Sequence, residues 1–258
     1  MPFVRSQGAD IYWKLEGDAA RPPLVLLNSI GTDMDLWAAA IPKLRKRFAV
    51  LRIDTRGHGA SDAPAGDYDL AMLAGDVGAA MDAAGLDTAA LAGVSLGGMI
   101  AMQMALDAPG RVTALALVCT SATMDHGAWT ARVDKVRAEG TAGIADLAMS
   151  RFLSPEFVGD HPEVAATVRR GLLTMADEGY AGCGAAIRDM ALAGRLGEIA
   201  CPTLVVSGDR DTSTPFAGHG DHLVANIRGA RHVSLHAAHL APLEAPEPLA
   251  GALISTLS

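Results

Sequence analysis

The segment that most constrains the fold of this chain is Gly93-Val94-Ser95-Leu96-Gly97, which joins an apolar run to a helix-like run. Residues 89–92 are short and apolar, as in a buried strand, and residues 99–106 are typical of a helix. A serine with glycine two residues away on each side, at a strand-to-helix junction, is typical of a nucleophile elbow. By itself this short pattern is equally compatible with a plain glycine-rich turn. The rest of the chain has to distinguish the two.

The bulk properties indicate one folded α/β domain with room for an insertion. The chain has 258 residues, of which 50% are hydrophobic and 19% charged, so it can bury a large core. Its net charge of −8 argues against binding to nucleic acid or to an anionic membrane surface. Cys119, Cys183 and Cys201 form no CxxC pair, which predicts reduced thiols and a cytoplasmic location. Neither a signal peptide nor a membrane span is expected.

Strand-like and helix-like runs alternate along most of the chain. Strands are predicted at 3–4, 11–15, 24–27, 49–54, 89–92, 114–119, 203–207 and 230–236. Helices are predicted at 37–44, 68–84, 99–106 and 243–257, with a further helix after Pro215. This order predicts βαβ units and a mostly parallel, twisted sheet flanked by helices. Ligand sites in such sheets lie beyond the carboxyl ends of the strands, where residues 28–32 and Ser95 fall.

The stretch from 125 to 196 differs from the rest because it has helical periodicity and no strand-like run. Helices are predicted there at 133–139, 144–152, 164–176 and 180–193. We therefore predict a helical cap, residues 125–196, inserted into a core made of residues 1–124 and 197–258.

Candidate partners of Ser95 follow it at the ends of later strands. A serine hydroxyl is a weak nucleophile that needs a base, and the base needs an acid to orient it. Asp211 and His239 each follow a predicted strand, in the order serine, acid, histidine that such elbows use. Asp209 is a rival acid that could instead cap its own turn, and Asp125 is a lesser one. The predicted triad is therefore Ser95, Asp211 and His239.

Several other histidines of the chain are not predicted to be the catalytic base. His232 and His236 fall at alternating positions of the last strand, facing solvent or neighbouring helices. His219 and His222 belong to or adjoin a surface helix. His58 lies in a glycine-rich loop, where structural hydrogen bonding is its expected role.

Acyl transfer to a serine also needs two N–H donors for the oxyanion. One is expected from Leu96, directly after the nucleophile, and the other from Ile30, in the loop after strand 24–27. A serine at the elbow implies an acyl-enzyme route. We find no metal-ligand cluster and no phosphate-binding loop in the sequence, so neither a metal nor a cofactor is predicted.

From end to end the sequence resembles the α/β-hydrolase superfamily and, more narrowly, 3-oxoadipate enol-lactonases. The segments that carry the resemblance are 28–33 with Trp37, 50–62, 93–99, and 178–183 with 186–188. Asn28-Ser29 is informative because many α/β-hydrolases have His-Gly there, and the cap segment around Tyr180 is the second discriminating feature. The chain departs from the pattern at Ala241-Pro242, where members often have Ser-Asn, and at Ile53, where Tyr is common.

The resemblance implies hydrolysis of 3-oxoadipate enol-lactone to 3-oxoadipate by Ser95, Asp211 and His239. The family substrate carries a carboxylate, so a basic group should reach it. The candidate substrate contacts are Ser29, Trp129, Arg132 and Lys135, with Arg137 and Arg188 as further basic residues of the cap. Any of these basic residues could instead belong to a solvated helix face.

Four other functions remain open at this point. The chain could be a broader esterase or lactonase, a perhydrolase, a hydrolase of C–C bonds, or a ligand-binding receptor on a hydrolase fold. The expected partner is a small-molecule substrate, with no nucleic acid and no membrane.

Overall fold

The computed structural model describes residues 3–257 and contains eight strands in that range: β1 (Phe3–Ser6), β2 (Ala9–Glu16), β3 (Pro23–Leu27), β4 (Ala49–Ile53), β5 (Ala89–Val94), β6 (Val112–Val118), β7 (Thr203–Gly208) and β8 (Arg231–Leu235). They form one sheet in the order β1-β2-β4-β3-β5-β6-β7-β8. β1 and β2 pair antiparallel to their neighbours, and every other pair is parallel. The mostly parallel sheet predicted from the sequence is confirmed.

The same residues form eleven α-helices: α1 (Ile41–Leu44), α2 (Leu70–Ala83), α3 (Leu96–Asp107), α4 (His126–Glu139), α5 (Ala145–Phe152), α6 (Pro155–Asp160), α7 (Pro162–Thr174), α8 (Asp177–Arg188), α9 (Asp221–Asn226), α10 (Ala241–Glu244) and α11 (Pro246–Leu257). Short 3₁₀ turns or irregular turns lie at Met34–Trp37, Pro109–Arg111, Thr141–Ile144, Ala193–Glu198 and Phe216–Gly220. Within residues 3–257, none of the helices combines the length and apolar character that crossing a membrane requires.

The central strands are buried on both faces, which explains their continuous apolar runs. Every residue of β4, β5 and β7 is buried. The edge strands β1 and β8 are mostly exposed, with one buried residue each. A parallel sheet needs helices on both faces, so its inner strands lack the polar alternation of a half-exposed sheet.

Two predicted helices are each divided in the structure. Residues 37–44 belong to a 3₁₀ turn that ends at Trp37 and to the separate one-turn helix α1. Residues 243–257 belong to α10 and α11, which are separated at Ala245, where φ is −136° and ψ is 52°. Pro246 explains the second break, because a proline disfavours the helical conformation of the residue before it.

Helices α4 to α8 form the insertion between β6 and β7, where the sequence predicted a cap. α4 packs along α8, and α8 in turn contacts the core. A Cβ on Gly179 of α8 would lie 2.5 Å from the Cα of Gly57, so both positions must be glycine for this contact. The division of the chain at residues 125 and 196 stays a prediction.

Candidate active site

Ser95 occupies the sharp turn between β5 and α3. Its φ of 54° and ψ of −116° are strained for a residue with a side chain. A Cβ on Gly93 would lie 2.1 Å from the carbonyl carbon of Gly97, and a Cβ on Gly97 would lie 2.7 Å from the carbonyl oxygen of Leu27. The two glycines therefore allow the close packing of strand, helix and neighbouring strand that a nucleophile elbow requires.

The predicted acid and base follow β7 and β8, which both lie on the β6 side of β5 in the sheet. β5, β6, β7 and β8 are consecutive and parallel, so their carboxyl ends meet at one edge of the sheet. The Ser95 N–H donates to Val118 O at 2.9 Å, which ties the elbow to the end of β6. Asp211 follows β7, where its N–H donates to Gly208 O at 3.2 Å, and His239 follows β8.

Asp211 and His239 form a buried pair. His239 Nδ1 lies 3.1 Å from Asp211 Oδ1 and 3.0 Å from Oδ2. The carboxylate also accepts hydrogen bonds from Ser213 N at 2.8 Å, Thr214 N at 3.2 Å and Thr214 Oγ1 at 2.8 Å. This arrangement makes Nδ1 the protonated nitrogen of the neutral imidazole, which leaves Nε2 free to accept a proton.

The Asp211 carboxyl is held in its ionised form. Desolvation by burial pushes its pKa upward, but the charge of His239 and the hydrogen bonds from His239 and Thr214 outweigh this effect, and the pKa falls to about 2. An ionised, immobile carboxylate is the group that can orient a histidine base and stabilise the imidazolium.

Neither rival acid contacts His239. Asp209 accepts hydrogen bonds from His236 Nδ1 at 2.8 Å and Ala237 N at 3.3 Å. Asp125 caps α4 by accepting a hydrogen bond from Ala128 N. Of the three carboxylates considered from the sequence, only Asp211 lies within hydrogen-bond distance of His239 among the described residues.

The Ser95 hydroxyl forms no hydrogen bond to another residue in the described range 3–257. Its relation to His239 therefore rests on their positions after β5 and β8 at the same edge of the sheet. Catalytic hydrogen bonds are often long in ligand-free enzymes and tighten only when substrate binds.

The loop after β3 carries the predicted oxyanion donor Ile30 and is fixed by Asn28. Asn28 Nδ2 donates to Thr32 O at 2.6 Å, and Asn28 Oδ1 accepts from Thr55 N at 3.1 Å and Thr55 Oγ1 at 2.7 Å. Within residues 3–257, the N–H groups of Ile30 and Leu96 donate to no protein acceptor. For Leu96 this follows from its place as the first residue of α3. The absence of a protein acceptor for either N–H group is compatible with the predicted oxyanion role, which stays a prediction.

His58 is hydrogen-bonded to the loop that carries Ile30. Its Nε2 accepts a hydrogen bond from Gly31 N at 3.0 Å, and Nδ1 lies 3.1 Å from Arg56 O. Burial lowers the pKa of His58 to about 4, so the ring is neutral near pH 7. The histidine thus has the structural hydrogen-bonding position expected from the sequence.

The cap contributes a cluster of one guanidinium and two aromatic rings. The Arg132 Cζ lies 5.0 Å from the centroid of the Trp129 ring and 5.5 Å from that of Tyr180. Arg132 Nε and Tyr180 Oη are buried and have no hydrogen-bond partner among the described residues. Burial raises the pKa of Tyr180, and Arg132 opposes that rise through its charge and the approach of its guanidinium to the hydroxyl. Unpaired buried donors of this kind suit an anionic ligand group.

The other predicted substrate contacts do not belong to the cluster around Arg132. Lys135 is exposed and lies 3.7 Å from Glu139. Arg137 and Arg188 both bind the Asp67 carboxylate. Ser29 is fully buried, and its Oγ lies 3.5 Å from Ile30 O, a contact too long for a strong hydrogen bond. Of these residues, the structure brings only Trp129 and Arg132 together in one cluster.

The sequence interpretation missed the roles of three side chains around the site. Thr214 binds the acid, Asn28 fixes the loop of Ile30, and Glu244 binds the loop of His239. A threonine three residues after an aspartate is a recognisable turn signal, so Thr214 could have been found. Asn28 also binds Thr55, and Glu244 also binds Ser154; these partners are 27 and 90 residues away, and no local signal identifies them.

A cavity of about 550 Å³ lies between α7 and the core. Its core side includes Gly31, Thr32 and His58, and its cap side includes Val168 and Met175. The cavity therefore borders the loop that carries Ile30.

Comparisons with known proteins give the family and the fold of the chain. A family model described as the alpha/beta hydrolase fold matches residues 22–139. The 3-oxoadipate enol-lactonase 2 of Acinetobacter baylyi is 34% identical over 245 residues, which cover 95% of this chain and 91% of that protein. The enol-lactonase structure from Burkholderia xenovorans LB400 has a TM-score of 0.95 and 33% identity, with 98% of each chain covered. A hydrolase structure from Pseudomonas aeruginosa PA01 has a TM-score of 0.93 and 39% identity, with 98% of this chain and 96% of that chain covered.

Proposed function

Because the chain belongs to the α/β-hydrolase family, a family of hydrolases, we propose that it is a serine hydrolase that opens 3-oxoadipate enol-lactone to 3-oxoadipate through an acyl-enzyme. The observation that carries the proposal is the buried Asp211–His239 pair at the sheet edge that also holds the strained Ser95. In this proposal Ser95 is the nucleophile, His239 the base and Asp211 the acid that orients it.

The first half of the reaction forms the acyl-enzyme. His239 Nε2 takes the Ser95 hydroxyl proton while Oγ attacks the lactone carbonyl carbon. The N–H groups of Ile30 and Leu96 stabilise the oxyanion of the tetrahedral intermediate. The intermediate collapses with cleavage of the ring C–O bond, and the leaving oxygen is an enolate. The His239 imidazolium gives its proton to this leaving group, which becomes the ketone once the proton is on carbon, and Nε2 is free again.

The second half releases the product. A water molecule gives a proton to His239 Nε2 and attacks the acyl carbon, which forms a second oxyanion at the same two N–H groups. Collapse breaks the bond to Ser95 Oγ, which recovers its proton from His239. The Asp211 carboxylate stays ionised throughout and stabilises the imidazolium in each half. The proposed cycle uses no cofactor.

The lactone substrate is supported by two kinds of observation. Proteins named as enol-lactonases match almost the whole chain at 33 and 34% identity. The cap also holds the unpaired Arg132 Nε and Tyr180 Oη, which could bind the carboxylate that this lactone carries. We propose that Arg132, Trp129 and Tyr180 form this carboxylate site. The cytoplasmic location and the restriction to small-molecule partners stay predictions.

A substrate panel with the purified protein and Ser95→Ala tests the proposal. The panel contains 3-oxoadipate enol-lactone, p-nitrophenyl esters and a long conjugated diketo acid. We expect the enol-lactone to have the largest kcat/KM and Ser95→Ala to lose the activity. Cleavage of the esters without the lactone would contradict the proposed substrate and leave a broader esterase. Turnover of the diketo acid alone would indicate C–C bond hydrolysis.

A fluorophosphonate probe tests the enzyme class separately, because it reacts with activated serines. We expect labelling of the wild-type protein and none of Ser95→Ala. A wild-type protein that is not labelled would overturn the serine hydrolase itself and favour a ligand-binding receptor.

A further inference from the structure

The two residues that flank His239 have main-chain N–H groups held by acceptors outside their own loop. The Ala238 N–H donates to Glu244 Oε2 at 3.0 Å. The Leu240 N–H donates to the carbonyl oxygen of Phe152, at the end of α5 in the cap, at 3.0 Å. The Phe152 ring also stacks on the His239 imidazole, with centroids 6.2 Å apart and an interplanar angle of 13°.

The Glu244 carboxylate joins this loop to the cap. Its Oε1 accepts a hydrogen bond from Ser154 N at 2.6 Å, and its Oε2 accepts from Ser154 Oγ at 3.0 Å. Ser154 is buried and lies between α5 and α6, two residues after Phe152. One carboxylate thus bonds the cap segment 152–154 on one side and the main chain beside His239 on the other.

The loop that carries His239 needs such acceptors because it lies outside the hydrogen-bond ladder of the sheet. β8 ends at Leu235 and α10 begins at Ala241, so residues 236–240 lie outside both elements. On the core side, Ala237 N donates to Asp209 Oδ1 at 3.3 Å and Ala237 O accepts from Arg210 N at 3.0 Å. These bonds hold the start of the loop, whereas Glu244 and Phe152 hold the two positions next to the imidazole.

We infer that Glu244 is a positioning residue that holds His239 in place for proton transfer by tying its loop to cap segment 152–154. The inference rests on the proposed role of His239 as the base. Small displacements of a reacting group, on the order of 1 Å, lower rates about 100-fold. Loss of the carboxylate should therefore slow the chemical step at Ser95 more than it weakens substrate binding.

Glu244→Gln tests the inference with little change of size. The carboxylate accepts from Ser154 N at Oε1 and from Ala238 N at Oε2, whereas an amide has an acceptor oxygen at one of these positions and a donor NH₂ group at the other. We expect kcat and the second-order rate of fluorophosphonate labelling of Ser95 to fall about 10-fold to 100-fold, with KM changed less than about threefold. Ser154→Ala removes the bond from Oγ to Glu244 and the N-cap bond from Phe157 N to Oγ, but keeps the bond from Ser154 N to Glu244, so it should produce a smaller fall in the same two rates.

Glu247→Gln is the matched control. Glu247 lies three residues further on, is largely exposed and pairs with Lys43 at 2.9 Å. The same chemical change there should leave kcat and the labelling rate within about twofold of wild type. Thermal unfolding and circular dichroism of each variant give the folded fraction under the assay conditions.

The outcomes separate this inference from the proposed function. Unchanged kcat and labelling rate in folded Glu244→Gln would overturn the positioning role while wild-type labelling still supports the serine hydrolase. A fall that merely follows the unfolded fraction, or a rise in KM with kcat unchanged, would also overturn it. Absence of labelling in the wild type would instead contradict the proposed function.

Discussion

Around the proposed site, polar side chains of the core and of the cap differ in how completely they are hydrogen-bonded. In the core, Asp211 accepts hydrogen bonds from three protein groups besides His239, and Asn28 is bonded at both its oxygen and its nitrogen. In the cap, Arg132 Nε and Tyr180 Oη are buried without a partner among residues 3–257. In the proposed function, the core groups are preorganised for the reaction, whereas the cap groups would form their hydrogen bonds with the ligand.

This difference suggests a division of roles. In the proposed function, preorganised groups would act on the reacting atoms of any ester that reaches Ser95, because their geometry does not depend on the ligand. Buried donors without a hydrogen-bond partner favour a ligand that supplies the missing acceptor, here an anionic oxygen. Variants of core residues should therefore change kcat, and variants of the cap cluster should change KM.

The largest effect is expected from Asp211→Asn. The amide cannot accept every bond that the carboxylate accepts and does not stabilise the imidazolium, so kcat should fall about 10⁴-fold. Asp209→Asn is the matched control, since Asp209 binds His236 and, through Ala237 N, the start of the His239 loop, but does not contact His239 itself. Steady-state kinetics of both variants measure the effect, and a comparable loss in Asp209→Asn would contradict the assignment of the acid.

His58 should make stability depend on pH. The unfolded histidine has its ordinary pKa of 6.5, whereas burial lowers the folded value to about 4. Between these values the unfolded chain binds a proton that the folded chain does not, so stability falls as pH falls from 6.5 to 4. The loss is roughly 3 kcal/mol and ends below pH 4, where both states are protonated.

Denaturant unfolding at a series of pH values measures this loss. His58→Gln should flatten the curve between pH 6.5 and 4, whereas His126→Gln, at an exposed position of α4, should leave the slope nearly unchanged. Asp211 adds a separate loss at lower pH. Its pKa is lowered from 3.8 to about 2, so its contribution is present above 3.8 and is lost as pH falls to 2. If stability fell as steeply in His58→Gln as in the wild type between pH 6.5 and 4, the assignment of this loss to His58 would be contradicted.

Arg132→Met should raise KM for the enol-lactone about 10-fold to 100-fold, because hydrogen bonds to charged groups contribute roughly 1.5–3 kcal/mol. A neutral p-nitrophenyl ester should be affected much less. Arg169→Met is the control, since it removes the same charge from an exposed ion pair of the cap with Asp146. A large KM effect in Lys135→Met and none in Arg132→Met would assign the carboxylate to the other residue of α4.

Tyr180→Phe and Thr214→Val give the smallest effects and compare the cap and the core most directly. The Tyr180 hydroxyl has no hydrogen-bond partner in the described range 3–257, so its removal should leave thermal stability unchanged or slightly higher while KM for the lactone rises a few-fold. Thr214→Val removes a bonded hydroxyl and should destabilise the fold by roughly 1 kcal/mol. Thermal unfolding of both variants would contradict the comparison if Tyr180→Phe were the less stable of the two.

Much of the fold follows from local patterns in the sequence. Continuous apolar runs predicted the inner strands because a parallel sheet is buried on both faces. The spacing of Gly93, Ser95 and Gly97 predicted the strained turn, because only that arrangement permits the close contacts found there. The division at Pro246 was also readable locally, and the prediction of one long helix overlooked it.

The sequence by itself determined the sheet, the elbow and the chain order of Ser95, Asp211 and His239. Only the tertiary structure decided that Asp211 rather than Asp209 contacts the histidine, and that Arg132, unlike Arg137 and Arg188, forms no ion pair with a carboxylate among residues 3–257. The reason is physical. Backbone periodicity depends on residues a few positions apart, whereas the pairing of a buried charge depends on which groups the folded chain brings within about 3 Å of it.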